Sequence, residues 1–256
     1  MIRALLVTLA TFAYILIVGS PFLIYSWLTG RTDTLYRIGI RGAKMALWMS
    51  GIHMDVYGLE KIPRDRAVIF MPNHQSNCDP PAIISILPPV LVMAKQEFFR
   101  VPVLGRAMCL RGFIPVDRKN RERAIAAVER AVAALQAGHS FLAFPEGTRS
   151  ADGRLQPLKR GVFVMAIKAG VPIVPISVSG ASKIMPKGQF GIRPGRIRIT
   201  IQDPIPTAHL TVNDRQALSE LTRQALLRGL KPEEWPVGLC GEMPDSVASS
   251  DAPRPT

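Results

Sequence analysis

Cysteine, histidine, aromatic and acidic residues are all scarce in this 256-residue chain, and each shortage removes a class of function. Three cysteines (Cys78, Cys109, Cys240), with no C-x-x-C pair, build neither a disulfide framework nor a structural zinc site. Four histidines (His53, His74, His139, His209) stand singly, without helical partners, so no metal pair is expected. Aromatic residues make up 7%, too few for base-stacking platforms, and no nucleic-acid motif accompanies the positive charge. The phosphate loop G-x-x-x-x-G-K-[ST] is missing. Glycine (20) and proline (22) are scattered, which excludes collagen-like and low-complexity classes. Acidic residues number 19 against 32 basic ones, giving +13. What the chain does have is apolar surface: 48% hydrophobic residues and a mean hydropathy of +0.18, high for a pI near 10.3. Basic and apolar together point to an anionic membrane surface as partner, ahead of nucleic acid.

Between Arg3 and Arg31 lie 27 uncharged residues, more than the roughly 20 a spanning helix needs. Gly19-Ser20-Pro21 interrupts them, leaving one kinked helix or a re-entrant pair as alternatives. Cleavage as a leader after Ser20 would leave Pro21 first, which blocks processing, so retention is expected. Residues 32–51 carry Arg37, Arg41 and Lys44 among apolar positions and read as a basic amphipathic helix at headgroup level, with Trp48 interfacial. Arg31, Arg37, Arg41 and Lys44 against a lone Arg3 place the body on the cytoplasmic side of a membrane, the bacterial inner membrane being the expected one.

From residue 52 the chain alternates apolar runs with helical periodicity. Strands are expected at 68–71, 90–94, 140–144, 171–178 and 196–202. Helices are expected at 80–87, 121–137, 162–169 and 214–230. This is an α/β chain with a mostly parallel mixed sheet flanked by helices, behind an N-terminal membrane-associated helical segment. Three regions follow: an anchor over 1–51, an α/β domain over 52–230, and a disordered, dispensable, proline-rich tail over 231–256 with a charge of −3.

Chemistry concentrates where apolar runs end. Asn73-His74-Gln75-Ser76-Asn77-Cys78-Asp79 puts a histidine in a loop and an aspartate at a helix start. Two readings stand: Asp79 orients His74 as a general base, or Asp79 caps the helix beside an idle loop histidine. Cys78, four residues from His74, also suggests a thiol nucleophile, although nothing marks it as activated. Phe144-Pro145-Glu146-Gly147-Thr148-Arg149-Ser150 reads either as a strand-to-helix turn with solvated charges or as an anion cradle, with Gly147 for close backbone approach, Thr148 for a hydroxyl and Arg149 for a bidentate grip. Lys95 and Arg118 each end a further apolar run. A base beside a phosphate grip suits transfer of an acyl or phosphoryl group to a hydroxyl of a phosphorylated acceptor.

The stretches N-H-Q-S-N-C-D, G-F-I-P-V-D-R, F-P-E-G-T-R-S and V-P-I-V-P-I resemble, in that order, the four motifs of the glycerolipid acyltransferases, over roughly residues 52–212. The resemblance implies the fold of that family. It also implies His74 and Asp79 as the catalytic pair, Glu146, Gly147, Thr148, Arg149, Lys95 and Arg118 on the substrate phosphate, and Asn73, Ser76, Pro145 and Pro175 as support. The implied reaction acylates the sn-2 hydroxyl of lysophosphatidic acid from acyl-CoA or acyl-carrier protein, with no metal or other cofactor. Ala151-Asp152 stands where many relatives carry further basic residues. Another lyso-lipid acceptor, such as a lyso-ornithine lipid, and a catalytically silent lipid-binding module are the alternatives.

Overall fold

The computed structural model describes residues 2–117, 120–189 and 191–238. Helix α1 (Ile2–Tyr14) runs through a wide π turn, Ile15–Gly19, directly into α2 (Ser20–Thr29). Pro21 lacks the amide that an α-helix would use there, and the widened turn just before it takes up the mismatch, so the chain stays helical. Gly30, at φ 71°, ends the run. Helix α3 (Thr32–Met49) folds back antiparallel along it. The Tyr14 hydroxyl donates to the Ile38 carbonyl at 3.0 Å. Gly42 gives the Tyr14 ring its place, since a Cβ there would lie 2.6 Å from the ring. Arg3 ends beside Gly51, so both ends of this hairpin meet at the body.

The sequence placed the apolar face of α3 against lipid. The structure spends it internally: Leu35, Ile38 and Leu47 are buried, while Arg37, Arg41, Lys44 and Trp48 share the exposed face. The lipid-like surface lies instead on α1 and α2, where Leu5, Leu9, Phe12, Ile17, Trp27 and Leu28 are all exposed. The run Ile2–Thr29 is long and apolar enough to cross a membrane.

The body alternates strand and helix: β1 (Ile52–Tyr57), β2 (Ile69–Pro72), α4 (Asp79–Ile84), β3 (Leu91–Lys95), α5 (Leu104–Leu110), β4 (Ile114–Val116) and α6 (Arg121–Gln136). There follow β5 (Phe141–Leu142), α7 (Gly161–Ala169), β6 (Ile173–Ser179), α8 (Ala181–Ile184), β7 (Gly195–Ile201) and α9 (Arg215–Gly229). The strands form one mixed sheet in the order β1-β7-β6-β2-β5-β3-β4. The five from β6 to β4 are parallel, and β7 runs against β6 with β1 beside it.

Strand β2 is central, and its side chains alternate between two cores. Phe70 joins Val92, Leu142, Val174 and Ile83 on one face, and Ile69 and Met71 join Phe141, Ala131, Leu135 and Phe163 on the other. That is why residues 68–71 read as an unbroken apolar run. β7 buries Ile197, Ile199 and Ile201 and exposes Arg196 and Arg198, the half-exposed alternation its sequence carries. β1 escaped the sequence reading although I-H-M-D-V-Y has the same alternation.

One expected boundary moves. Residues 231–235 are ordered: Pro232–Glu234 forms a 3₁₀ turn, Glu234 is buried, and the Trp235 indole N–H donates to the Leu227 and Leu230 carbonyls at 3.2 and 3.3 Å. An indole and a carboxylate that find fixed partners hold this piece on the body. The rest of the expected tail, from 239 on, lies outside the described residues.

Candidate active site

Parallel strands with helical crossovers leave a crevice at their carboxyl ends. There β2 delivers Asn73 and His74, and β5 delivers Phe144 to Glu146. Asn73 is fixed by a two-way bridge to the neighbouring strand, its Nδ2 donating to the Val178 carbonyl at 2.8 Å and its Oδ1 accepting the Val178 N–H at 2.6 Å. Pro175 lies below, in register with Met71 of β2.

Asp79 opens α4 and is fully buried. Its carboxylate does not cap that helix. It turns back, and Oδ2 accepts the N–H groups of Gln75 and Ser76, both at 2.7 Å, and lies 2.9 Å from His74 Nδ1. Asp79 and His74 are therefore paired across the loop, and the Asp79 side chain is not the helix cap. Two backbone N–H groups already donate to Oδ2, so the carboxylate faces His74 Nδ1 as an acceptor; the Nδ1–H tautomer matches it and carries its lone pair on Nε2. Burial pushes the Asp79 carboxyl up, against the opposing pull of His74 and the two amides. The His74 ring leans on Phe144, centroids 4.1 Å apart, and its carbonyl accepts the Ser150 N–H at 2.8 Å. Ser76 is held by its hydroxyl to the Met185 carbonyl at 3.0 Å.

Glu146 takes a different position from the one expected. Its side chain is buried, with Oε1 accepting the His74 N–H at 2.5 Å and Oε2 the Gln156 N–H at 3.0 Å. Both oxygens are used on backbone, so this carboxylate ties β5 to the His74 loop and does not face a phosphate. Burial, reinforced by the charge of Asp79 and opposed by the two amides, pushes its pKa up to about 7. Cys78 is buried beside Asp79 and its thiol is pushed up to about 12, chiefly by burial, which removes the nucleophile reading.

Gly147 adopts φ 70°, and the side chain of Lys159 lies across it: a Cβ there would sit 2.9 Å from Lys159 Cδ and 3.1 Å from Nζ. The Lys159 N–H donates to the Pro145 carbonyl at 2.8 Å, which anchors that lysine to the turn. Thr148 is exposed. Among the described residues neither the Arg149 guanidinium nor the Lys159 ammonium has a hydrogen-bond or ion-pair partner, so two cations flank the turn uncompensated. Lys95 ends β3, with β5 between its strand and β2, and pairs with Glu97 at 2.8 Å. Arg118 lies outside the described residues. Sequence reasoning missed Lys159, whose only signal is the basic pair Lys159-Arg160 before a glycine-led helix. It also gave no part to Gln75, although that residue sits inside the quoted stretch.

A histidine paired with a carboxylate, in a loop joined to a turn that carries two uncompensated cations, is equipment suited to deprotonating a hydroxyl on an anionic acceptor. The family model described as Acyltransferase matches residues 53–179, which contain His74, Asp79, Glu146, Arg149 and Lys159. The chain is 34% identical to the chloroplast 1-acyl-sn-glycerol-3-phosphate acyltransferase LPAT1 of Arabidopsis thaliana, over 83% of this chain and 60% of that one. It is 31% identical to 1-acyl-sn-glycerol-3-phosphate acyltransferase of Limnanthes alba, over 91% and 81% respectively. The crystal structure of the 1-acyl-sn-glycerophosphate acyltransferase PlsC from Thermotoga maritima superposes with a TM-score of 0.77 at 29% identity, covering 89% of this chain and 95% of that one. The chain belongs to the 1-acyl-sn-glycerol-3-phosphate acyltransferase family. It spans 44% of the Brassica napus chloroplast member and 60% of the Arabidopsis one, both longer proteins.

Proposed function

We propose that the chain acylates the sn-2 hydroxyl of 1-acyl-sn-glycerol 3-phosphate from a thioester, acyl-CoA or acyl-carrier protein, to give phosphatidic acid. The observation that carries this is the His74–Asp79 pair, 2.9 Å apart, with the His74 side chain 15% exposed and its Nε2 without a partner among the described residues. Nε2 takes the hydroxyl proton as the oxygen attacks the thioester carbonyl, and Asp79 stabilises the imidazolium that forms. Collapse of the tetrahedral intermediate expels the thiolate, which recovers the proton from His74. The transfer is direct, without an acyl-enzyme. Arg149 and Lys159 hold the acceptor phosphate, Arg149 as a planar fork and Lys159 as a point charge. Glu146, Asn73, Ser76, Pro145 and Pro175 keep the two loops in register.

The apolar outer face of the hairpin enters the lipid. Because Arg3 returns to Gly51 and α3 carries exposed Arg37, Arg41 and Lys44 along its length, the hairpin dips into one leaflet rather than crossing the bilayer. This removes the premise that Arg3 and Arg31 lie on opposite sides. The cytoplasmic placement of the body then rests on the attraction of those basic residues to anionic headgroups. Helix α3 also packs against α4, so the lipid-facing element is one helix away from Asp79. The test is His74→Ala in purified, folded protein with lysophosphatidate and each thioester donor. Transfer should fall at least ~10²-fold. Turnover near wild type would remove His74 as the base.

A further inference from the structure

We propose that Glu234 is a positioning residue for the catalytic pair, acting from the C-terminal segment through Gln75. The inference rests on the reading of His74 and Asp79 as base and orienter. Gln75 lies between His74 and Ser76, and its backbone N–H is one of the three donors on Asp79 Oδ2. Its buried side chain is held at both ends. Nε2 donates to the Gly153 carbonyl at 2.8 Å and to Glu234 Oε1 at 3.0 Å, while Oε1 accepts the Ser182 N–H at 3.4 Å.

Glu234 is only 6% exposed, and no Lys, Arg or His pairs with it among the described residues. Its carboxylate instead accepts three neutral donors: Gln75 Nε2, the Gly180 N–H at 2.8 Å and the Lys231 N–H at 3.1 Å. A carboxylate matches that set because it brings acceptors only, whereas an amide would set its own NH₂ against one of the donors.

The segment carrying Glu234 is itself stitched down. The Leu155 N–H donates to the Glu234 carbonyl at 2.9 Å, and Arg154 Nη1 donates to the Trp235 carbonyl at 3.1 Å. The loop leaving the phosphate turn (153–155) and the loop carrying the base therefore meet on one residue that lies 159 positions from Gln75. With Glu234 in place, the Gln75 side-chain amide is fixed on three sides, and this holds the residue so that its backbone N–H keeps pointing at Asp79. Without it, Asp79 loses a rigid donor and the His74 ring loses part of its fixed orientation. A displacement on the order of 1 Å at such a group costs on the order of 10²-fold in rate.

The experiment compares Glu234→Gln, Gln75→Met and the double variant in full-length protein, after thermal melting has shown which are folded. We expect kcat per folded molecule, with the folded fraction taken from the melts, to fall at least ~10-fold in each single variant while the KM for lysophosphatidate stays within about twofold. In the Gln75→Met background, Glu234→Gln should add little, because the link is already cut. Amide exchange at Gln75 and Ser76 should rise in Glu234→Gln. If Glu234→Gln does not fold, Gln75→Met alone must show the kcat loss. A folded variant with kcat within twofold of wild type overturns the proposal, and so does an undiminished Glu234 effect in the Gln75→Met background. Wild-type protein inactive on lysophosphatidate, with the exchange response intact, would overturn the substrate reading and leave the positioning role standing.

Discussion

Replacing Glu146 by glutamine tests whether this residue serves the fold or the substrate. Its side chain is 2% exposed, and burial lifts its pKa from 4.5 to about 7. Below about pH 4.5 the carboxyl is protonated in both folded and unfolded chains, and no stability is lost through it. Between 4.5 and about 7 the folded chain holds the proton more tightly, so stability falls as pH rises through that window and the loss is complete above it. The displacement corresponds to about 3 kcal/mol. For a chain of this length that is roughly 6–12 °C in thermal midpoint. Glutamine has the same shape and does not titrate. The midpoint of wild type minus that of Glu146→Gln should therefore drop by about this amount between pH 4.5 and pH 8, with titrating groups not coupled to Glu146 cancelling in the difference. Melts of both proteins in one detergent across a pH series give the measurement. Parallel curves, with a difference constant to within about 2 °C, would refute the buried-carboxylate account. Activity should also fall in Glu146→Gln at every pH, because the His74 or Gln156 N–H loses its acceptor. A pure rise in acceptor KM would instead restore the phosphate-binding role that the sequence suggested.

Two further outcomes follow from the same geometry. Arg149→Ala and Lys159→Met should each raise the KM for lysophosphatidate well above any change for the acyl donor, by about 1.5–3 kcal/mol for the arginine; Arg149→Lys should recover only part of the loss, and an unchanged acceptor KM in both would place the phosphate elsewhere. Leu5 and Leu9 are 60% and 57% exposed, so Leu5→Glu with Leu9→Glu should release the protein from anionic vesicles at high salt without lowering its thermal midpoint, whereas wild type stays bound. Wild type that washes off at high salt would show the attachment to be electrostatic alone.

Local patterning by itself determined the α/β class, most of the strands and long helices, and the loops where chemistry sits. Apolar runs end in polar clusters wherever a buried strand leaves the sheet, and that is visible along the chain. Its reading of His74 with Asp79 was within reach because the two are five residues apart across one loop, although the direction of the Asp79 carboxylate was not. Orientation is a matter of which donors converge, and only the folded loop brings the Gln75 and Ser76 amides to one oxygen. The same holds for Glu146: its motif position says nothing about whether its carboxylate faces solvent or backbone, and burial against His74 decided it. Lys159 joined the turn through the left-handed conformation of Gly147, and Lys95 was drawn to Glu97 one strand further out. Glu234 was the least legible. Its surroundings in sequence are proline-rich, acidic and aperiodic, the signature of a tail. Its role depends on Gln75, Gly180 and Leu155, contacts made across long stretches of chain that no local pattern encodes. Periodicity records what a segment wants to bury; only tertiary packing settles which partner it finds there.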